Sequence, residues 1–252
     1  MRLKLVYLIF VLFFLLSGSI AYYFVRKYYL FYNFLRLDPL EDRSLKKDLL
    51  ITPDNITNIW MIGDSRVAKW NMSLLSPLDA SIVNLGIEGQ STAQILNRVK
   101  NYLKIGNPQW IILEAGINDL KIIGLKEESA DQIVENCLEN IYEIIDLCLI
   151  NEIRIIVINI IPPGNMELLR RLVWNSAASE SIDEANRKLK EYCHGKNVFF
   201  LDTYPILCTD DLKVKEQYQN GFLHINESGY KVMSKRIIED FGIEINSKLY
   251  NN

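Results

Sequence analysis

The chain has 252 residues, with 28 Lys and Arg against 31 Asp and Glu and a formal net charge of −3. Its basic residues are scattered among acids rather than clustered, which excludes the electrostatic footprint of a nucleic-acid-binding protein. An apolar content of 49% excludes intrinsic disorder, and the roughly two hundred residues after the first fifty are ample for one hydrophobic core.

Leu5 to Val25 runs without a charge, between Arg2 and Lys4 on one side and Arg26 and Lys27 on the other. At ~1.5 Å rise per residue such a helix crosses a ~30 Å hydrocarbon layer, and a helix apolar on every face does not suit a soluble core. Tyr22, Tyr23, Tyr28 and Tyr29 fit an interfacial aromatic belt. Ser19-Ile20-Ala21 has the small residues of a signal-peptidase site, so cleavage and secretion are the alternative, but the run is long for a signal peptide. The expectation is a single-pass anchor over residues 1–27, its basic tail in the cytoplasm and the remainder outside. A connector follows over 28–54, then one domain over 55–245 and a tail over 246–252.

Within the domain, strand-length apolar runs occur at Asn58–Ile62, Ile82–Leu85, Trp110–Glu114, Arg154–Ile160 and Val198–Leu201. Being apolar throughout, they are expected to be buried on both faces. Between them, Thr92 to Ile105 repeats Ile95, Leu96, Val99, Tyr102 and Leu103 at helical spacing, and Gln132 to Leu149 does the same with Ile133, Cys137, Ile141, Ile144 and Cys148. Two more helices are predicted over Ser181 to Tyr192 and over Glu227 to Phe241, the latter capped by Asn226 or Ser228. Five alternations of strand and helix predict an α/β fold, a parallel sheet with helices on both faces. Ligands bind such sheets beyond the carboxyl ends of the strands. The first three strands end there in Gly63-Asp64-Ser65-Arg66, Gly86-Ile87-Glu88-Gly89-Gln90-Ser91-Thr92 and Gly116-Ile117-Asn118-Asp119, and the fourth in Pro162-Pro163-Gly164.

The four cysteines, Cys137, Cys148, Cys193 and Cys208, follow no metal-type spacing. Cys137 and Cys148 lie about three turns apart on one predicted helix, too far to bond each other, which leaves Cys193 with Cys208 open as a disulfide. Neither a metal cluster nor a dinucleotide fingerprint is present, so no cofactor is expected.

The ordered blocks Ile62-Gly63-Asp64-Ser65, Asn84 to Thr92, Gly116-Ile117-Asn118-Asp119 and Gly221 to Asn226 followed by Gly229-Tyr230 resemble those of the SGNH/GDSL hydrolase superfamily. The resemblance covers nearly everything from Asn58 to Phe241. It implies a three-layer α/β/α domain with a five-stranded parallel sheet of flavodoxin-like type. It also implies Ser65 as nucleophile, His224 as its base, and an oxyanion hole made by the Ser65 and Gly89 backbone N–H groups and the Asn118 side-chain amide. The chemistry needs these types: a hydroxyl attacks only when a base takes its proton, neutral imidazole suits that near pH 7, and the carbonyl oxygen needs donors waiting for its charge. Gly89 is expected to be glycine so that its N–H can approach the oxyanion closely.

One position departs from the pattern. The family usually places Asp three residues before the histidine, and Gly221 stands there, with the uncharged Asn220 one place further back. The acid normally fixes the imidazole tautomer and stabilises imidazolium; Asp210, Asp211 and Glu227 are the acids near in sequence. Arg66, Glu88 and Trp174 are candidate substrate contacts, Glu88 facing either a substrate hydroxyl or solvent. Trp174 stands with Arg170 and Arg171 in Gly164 to Ser179, a candidate specificity loop. The resemblance and the anchor together imply an esterase removing an acyl group, most simply acetyl, from a cell-surface or secreted glycan. The alternatives are acyl transfer to a sugar through the same acyl-serine and a non-catalytic, membrane-tethered glycan-binding protein with a degenerate site.

Overall fold

The computed structural model describes residues 2–34, 56–166 and 176–247. Helix α1 spans Arg2–Phe34. Its segment Leu3–Tyr29 contains an 18-residue stretch of mean hydropathy 2.3 that is unburied, so by length and composition it can cross a membrane or serve as a signal sequence. Most of the expected connector, and Arg170, Arg171 and Trp174 of the expected specificity loop, lie outside the described residues.

The domain is built on five parallel strands, β1 Thr57–Gly63, β2 Ala80–Gly86, β3 Trp110–Glu114, β4 Arg154–Ile158 and β5 Phe199–Leu201, in the order β2-β1-β3-β4-β5. The chain leaves β1 toward one edge and returns on its other side as β3. That reversal opens a crevice beyond the carboxyl ends of β1 and β3. Gly63, Gly86 and Glu114 stand level in the register there.

Strand periodicity divides the core in two. Trp60, Ile62, Ile111, Leu113, Ile155 and Val157 face one side, against α3 (Thr92–Tyr102), α5 (Ala130–Ile150) and α6 (Ser176–Cys193). Ile59, Met61, Trp110, Ile112, Ile156 and Ile158 face the other, against Tyr230, Met233 and Ile237 of α8 (Glu227–Asn246). Each fully buried Ile or Leu contributes about 1.5–3 kcal/mol relative to exposure. The result is the expected three-layer α/β/α arrangement.

The differences from expectation have local causes. β2 is an edge strand and only half-buried apart from Leu85, because it has a partner on one side alone. β4 stops at Ile158 because Asn159 turns its backbone N–H to the Leu201 carbonyl at 3.1 Å and its side chain to the backbone N–H of Thr203 at 2.7 Å. All four cysteines are free and buried, so Cys193 and Cys208 are not joined. Three one-turn helices were not anticipated: α2 (Ser65–Ala68), α4 (Ile117–Leu120) and α7 (Tyr204–Leu207). Nor was an antiparallel hairpin of two-residue strands, β6 (Gln219–Asn220) and β7 (His224–Ile225).

Candidate active site

β1 delivers the chain to Asp64 and Ser65 at the start of α2. Asp64 is the N-cap, its Oδ1 accepting from the Arg66 backbone N–H at 2.9 Å, which satisfies a donor that the helix start leaves open. Asp64 is fully buried, and burial raises its carboxyl above the usual range while the Arg66 charge pulls it down.

Arg66 makes so charged a turn tolerable in the interior. Its Nε donates to the Leu223 carbonyl at 2.9 Å, Nη1 to the Ile161 carbonyl and to Glu114 Oε1 at 3.4 Å, and Nη2 to the Pro162 carbonyl at 3.3 Å. The Tyr230 hydroxyl donates to its backbone carbonyl at 2.8 Å. One side chain thereby ties the Ser65 turn to β3, to the segment after β4 and to the hairpin carrying His224. At 1% exposure it does not reach a substrate, which corrects the expectation of a substrate contact. Glu114 lies beneath with Oε2 lacking a partner. Burial first and the Asp64 charge second raise its pKa above the usual carboxylate range, against the Arg66 charge.

The second and third blocks are joined to the first. Gly89 has φ +74, a left-handed conformation that glycine adopts without penalty, so its backbone angle is a reason for glycine beyond the expected close approach. Arg98, fully buried, donates through Nε and Nη2 to Gln90 Oε1 at 3.0 and 2.8 Å, through Nη2 to the Gly63 carbonyl at 3.2 Å, and through Nη1 to the Leu85 carbonyl. It staples the ends of β1 and β2 to the Gly89-Gln90 turn. Asp119 accepts from the Thr92 N–H at 3.0 Å and hydroxyl at 2.7 Å, locking the start of α3 to α4. Burial chiefly raises its pKa, to about 6, against these two bonds.

Asn118 sits in α4 with its amide in a three-way contact. Nδ2 donates to Asp64 Oδ2 at 3.1 Å and to the Gln90 carbonyl at 3.0 Å, and Oδ1 accepts from Lys121 Nζ at 2.7 Å.

His224 comes from the hairpin, directly across from Asn220 in the β6–β7 register. Its Nε2 lies 3.4 Å from Lys69 Nζ, and Lys69 pairs with Glu88 at 3.6 Å. An ammonium can only donate, so this contact requires the lone pair on Nε2 and the proton of a neutral ring on Nδ1. Burial first, then Lys69 and Arg66, lower the His224 pKa; Glu88 opposes them. Of the acids near in sequence, Asp211 is paired with Lys213 and Glu227 with Lys231, both turned to solvent. Gly221, at φ +65, has open space where a side chain would stand.

Ser65, Glu88, Gly89, Asn118 and His224 line one pocket of about 240 Å³, with Ile117, Lys121 and Leu223. It lies at the β1/β3 crevice. A larger groove of about 680 Å³ between α5 and α6 shares none of these residues. Among the described residues no group of three His, Cys, Asp or Glu is placed to hold a metal ion. Asp64, Lys69, Arg98 and Lys121 were not singled out from sequence. Arg98 had a signal, a charged residue on the apolar face carrying Ile95, Val99 and Tyr102. Lys69 and Lys121, each a few residues beyond a motif, had none.

The model of the GDSL-like Lipase/Acylhydrolase family matches residues 55–232. The chain belongs to this family. It is therefore a hydrolase acting on ester bonds, of the SGNH/GDSL type. Solved structures with the same fold include a GDSL-like lipase from Bacteroides thetaiotaomicron, with 21% identity, TM-score 0.61, and coverage of 78% of this chain and 95% of that one. A carbohydrate acetylesterase family member from Sinorhizobium meliloti has 12% identity, TM-score 0.57 and coverage of 77% and 100%. An acetyl xylan esterase has 14% identity, TM-score 0.57 and coverage of 72% and 98%. No curated protein matches the GDSL-family chain.

Proposed function

We propose that this GDSL-family hydrolase is a membrane-tethered O-deacetylase of a surface or secreted glycan, working through an acyl-Ser65 intermediate. The observation that carries the reading is the convergence of Ser65, Gly89, Asn118 and His224 on one small pocket. In this scheme Lys69 yields the His224 Nε2 lone pair, and Nε2 takes the Ser65 hydroxyl proton as Oγ bonds to the ester carbon. The oxyanion is received by the Ser65 and Gly89 N–H groups and the Asn118 amide. The intermediate collapses as the imidazolium returns its proton to the departing alcohol, and water then repeats the sequence on the acyl-serine. Ser65 and His224 share the pocket without a direct hydrogen bond, so the pair must close up when substrate binds, as unliganded sites commonly do.

A pocket of about 240 Å³, below the ~300–1,000 Å³ of typical small-molecule sites, supports a short acyl group. The carbohydrate-directed names of two structural neighbours support a glycan alcohol. α1 supports tethering, and a reporter fused after Asn252 is expected to be active only outside the cytoplasm; cytoplasmic activity would overturn that orientation. The test of the chemistry is fluorophosphonate labelling of the full-length protein in detergent, wild type beside Ser65→Ala, with acetate release from acetylated xylan measured in parallel. Labelling that survives in Ser65→Ala would sink the assignment. Among the described residues no carboxylate is hydrogen-bonded to His224, which favours the non-catalytic binding reading; that reading gains if a folded wild-type protein neither labels nor releases acetate.

A further inference from the structure

The Asn118 amide is oriented by three contacts that agree. Its nitrogen meets two acceptors, Asp64 Oδ2 at 3.1 Å and the Gln90 carbonyl at 3.0 Å, and its oxygen meets the Lys121 ammonium at 2.7 Å. Exchanging nitrogen and oxygen would set a donor against an ammonium and an oxygen against a carboxylate and a carbonyl, so the chemistry admits one orientation. Lys121 reaches back from three positions further along the chain, the spacing that brings side chains together on one face of a helical turn. Like Asn118 it lines the pocket that holds Ser65.

The same contacts carry a difficulty. Both Nδ2 hydrogens are already engaged, so Asn118 can serve an oxyanion only by sharing or giving up the bond to Gln90. During that exchange the amide must not rotate. Asp64 fixes one hydrogen, and a charge-assisted bond on Oδ1 fixes the opposite end. A cation on the amide oxygen also draws electron density from nitrogen and strengthens its remaining N–H as a donor, as in other hydrogen-bonded chains.

Resting on the oxyanion reading above, we propose that Lys121 is a positioning residue for catalysis. It holds the Asn118 amide in its donor-forward orientation and strengthens the hydrogen bond that Asn118 gives to the transition state. Because it acts through a bond realised in the transition state, it belongs in kcat rather than KM.

The test is a double-mutant cycle on the full-length protein in detergent, with an aryl acetate as substrate and the melting temperature followed for each variant. Lys121→Met keeps the aliphatic stem and is expected to lower kcat about tenfold with KM nearly unchanged, less than the ~10²–10³ expected for losing the Asn118 donor itself. Lys121→Arg, which restores the cation, is expected to recover most of the rate. In an Asn118→Ala background, Lys121→Met should add little. Additive losses would overturn the proposal by showing that Lys121 acts on substrate directly. An unchanged kcat in Lys121→Met, or a loss that Lys121→Arg fails to recover, would overturn it as well. If Asn118→Ala itself leaves kcat intact, the oxyanion reading fails; if Asn118→Ala slows turnover and Lys121→Met does not, only the role of Lys121 fails.

Discussion

The residues proposed to act on the ester are held by two unlike scaffolds. Ser65, Gly89 and Asn118 follow the ends of three neighbouring strands, where Asp64, Arg66, Arg98 and Asp119 are buried and cross-bonded. His224 sits on a hairpin of two-residue strands whose tip carries the exposed, left-handed Gly221. On the proposed mechanism the first scaffold is a preorganised receptor for developing charge. The second carries the proposed base, tied to the rest through Arg66 on the Leu223 carbonyl at 2.9 Å, through the Gly164 N–H on the Phe222 carbonyl at 2.7 Å and through the Asn165 N–H on the Gln219 side chain at 2.8 Å. The contrast teaches that, on the proposed mechanism, electrostatic stabilisation is built into the sheet, while proton transfer depends on a short loop in which, among the described residues, no carboxylate bonds the histidine.

The largest effects should fall on the first scaffold. Ser65→Ala is expected to reduce ester hydrolysis to background, the ~10⁶ scale of losing a nucleophile in a serine protease. Asn118→Ala should slow turnover by roughly 10²–10³ while the fold persists. Steady-state kinetics on aryl acetates checks both, and wild-type turnover in Asn118→Ala would mean that Asn118 only shapes its turn.

Stability should divide in the same way. Arg66→Met removes the cation between two buried carboxyls and leaves several carbonyls unserved, and is expected to cost about 3–5 kcal/mol. Gly221→Ala meets no neighbouring atom and should cost only the left-handed backbone penalty of about 1 kcal/mol. Thermal melts of the two variants compare them, and equal losses would erase the contrast between the scaffolds.

The third comparison concerns the missing acid. Asn220, not Gly221, stands opposite His224 in the hairpin register, and opposed residues of an antiparallel pair project to one side about 4.5–5.5 Å apart. Since loss of the acid costs ~10⁴ in an optimised triad, Asn220→Asp in this unoptimised hairpin is expected to raise kcat about tenfold. Gly221→Asp should help less, though it should fold, because Asp is among the residues that tolerate positive φ. If neither variant changes the rate, a missing acid is not what limits this enzyme.

The strand ends, the sheet class and the four blocks were legible because they rest on local pattern. Apolar runs mark the buried strands β1, β3 and β4 without reference to the rest of the chain, and the glycines beside Ser65 and Asn118 mark turns. Long-range polar contacts left no such trace. Arg66, a candidate substrate contact beside a motif, is an interior tie in the structure, because only the fold brings Leu223, Ile161 and Glu114 around it. The half-buried β2 misled for the related reason that edge position is a property of the assembled sheet. The offset of Asn220 and Gly221 depended on hairpin register, which spacing from the histidine does not reveal.

The smallest effect probes how the loop manages without the usual acid at Gly221. In the usual triad the carboxylate does two things: it holds the proton on Nδ1, leaving Nε2 free to accept, and it stabilises the imidazolium that forms. Lys69, 3.4 Å from Nε2, selects the same tautomer because an ammonium has no lone pair to offer, and it must move off Nε2 before that nitrogen can accept from Ser65. It works against the second task, since its charge lowers the His224 pKa along with burial and Arg66, while Glu88 raises it. The base is active when neutral, so the acidic limb of kcat/KM should lie below the ordinary histidine value of 6.5. Lys69→Met removes a lowering charge and should move that limb upward, by less than about one pH unit given the exposure of the pair to water and salt. Glu88→Gln removes the opposing charge and should move it downward. A pH–rate profile of the three proteins reads both signs. Limbs that coincide, or that shift in the reverse order, would show that Lys69 and Glu88 do not govern His224.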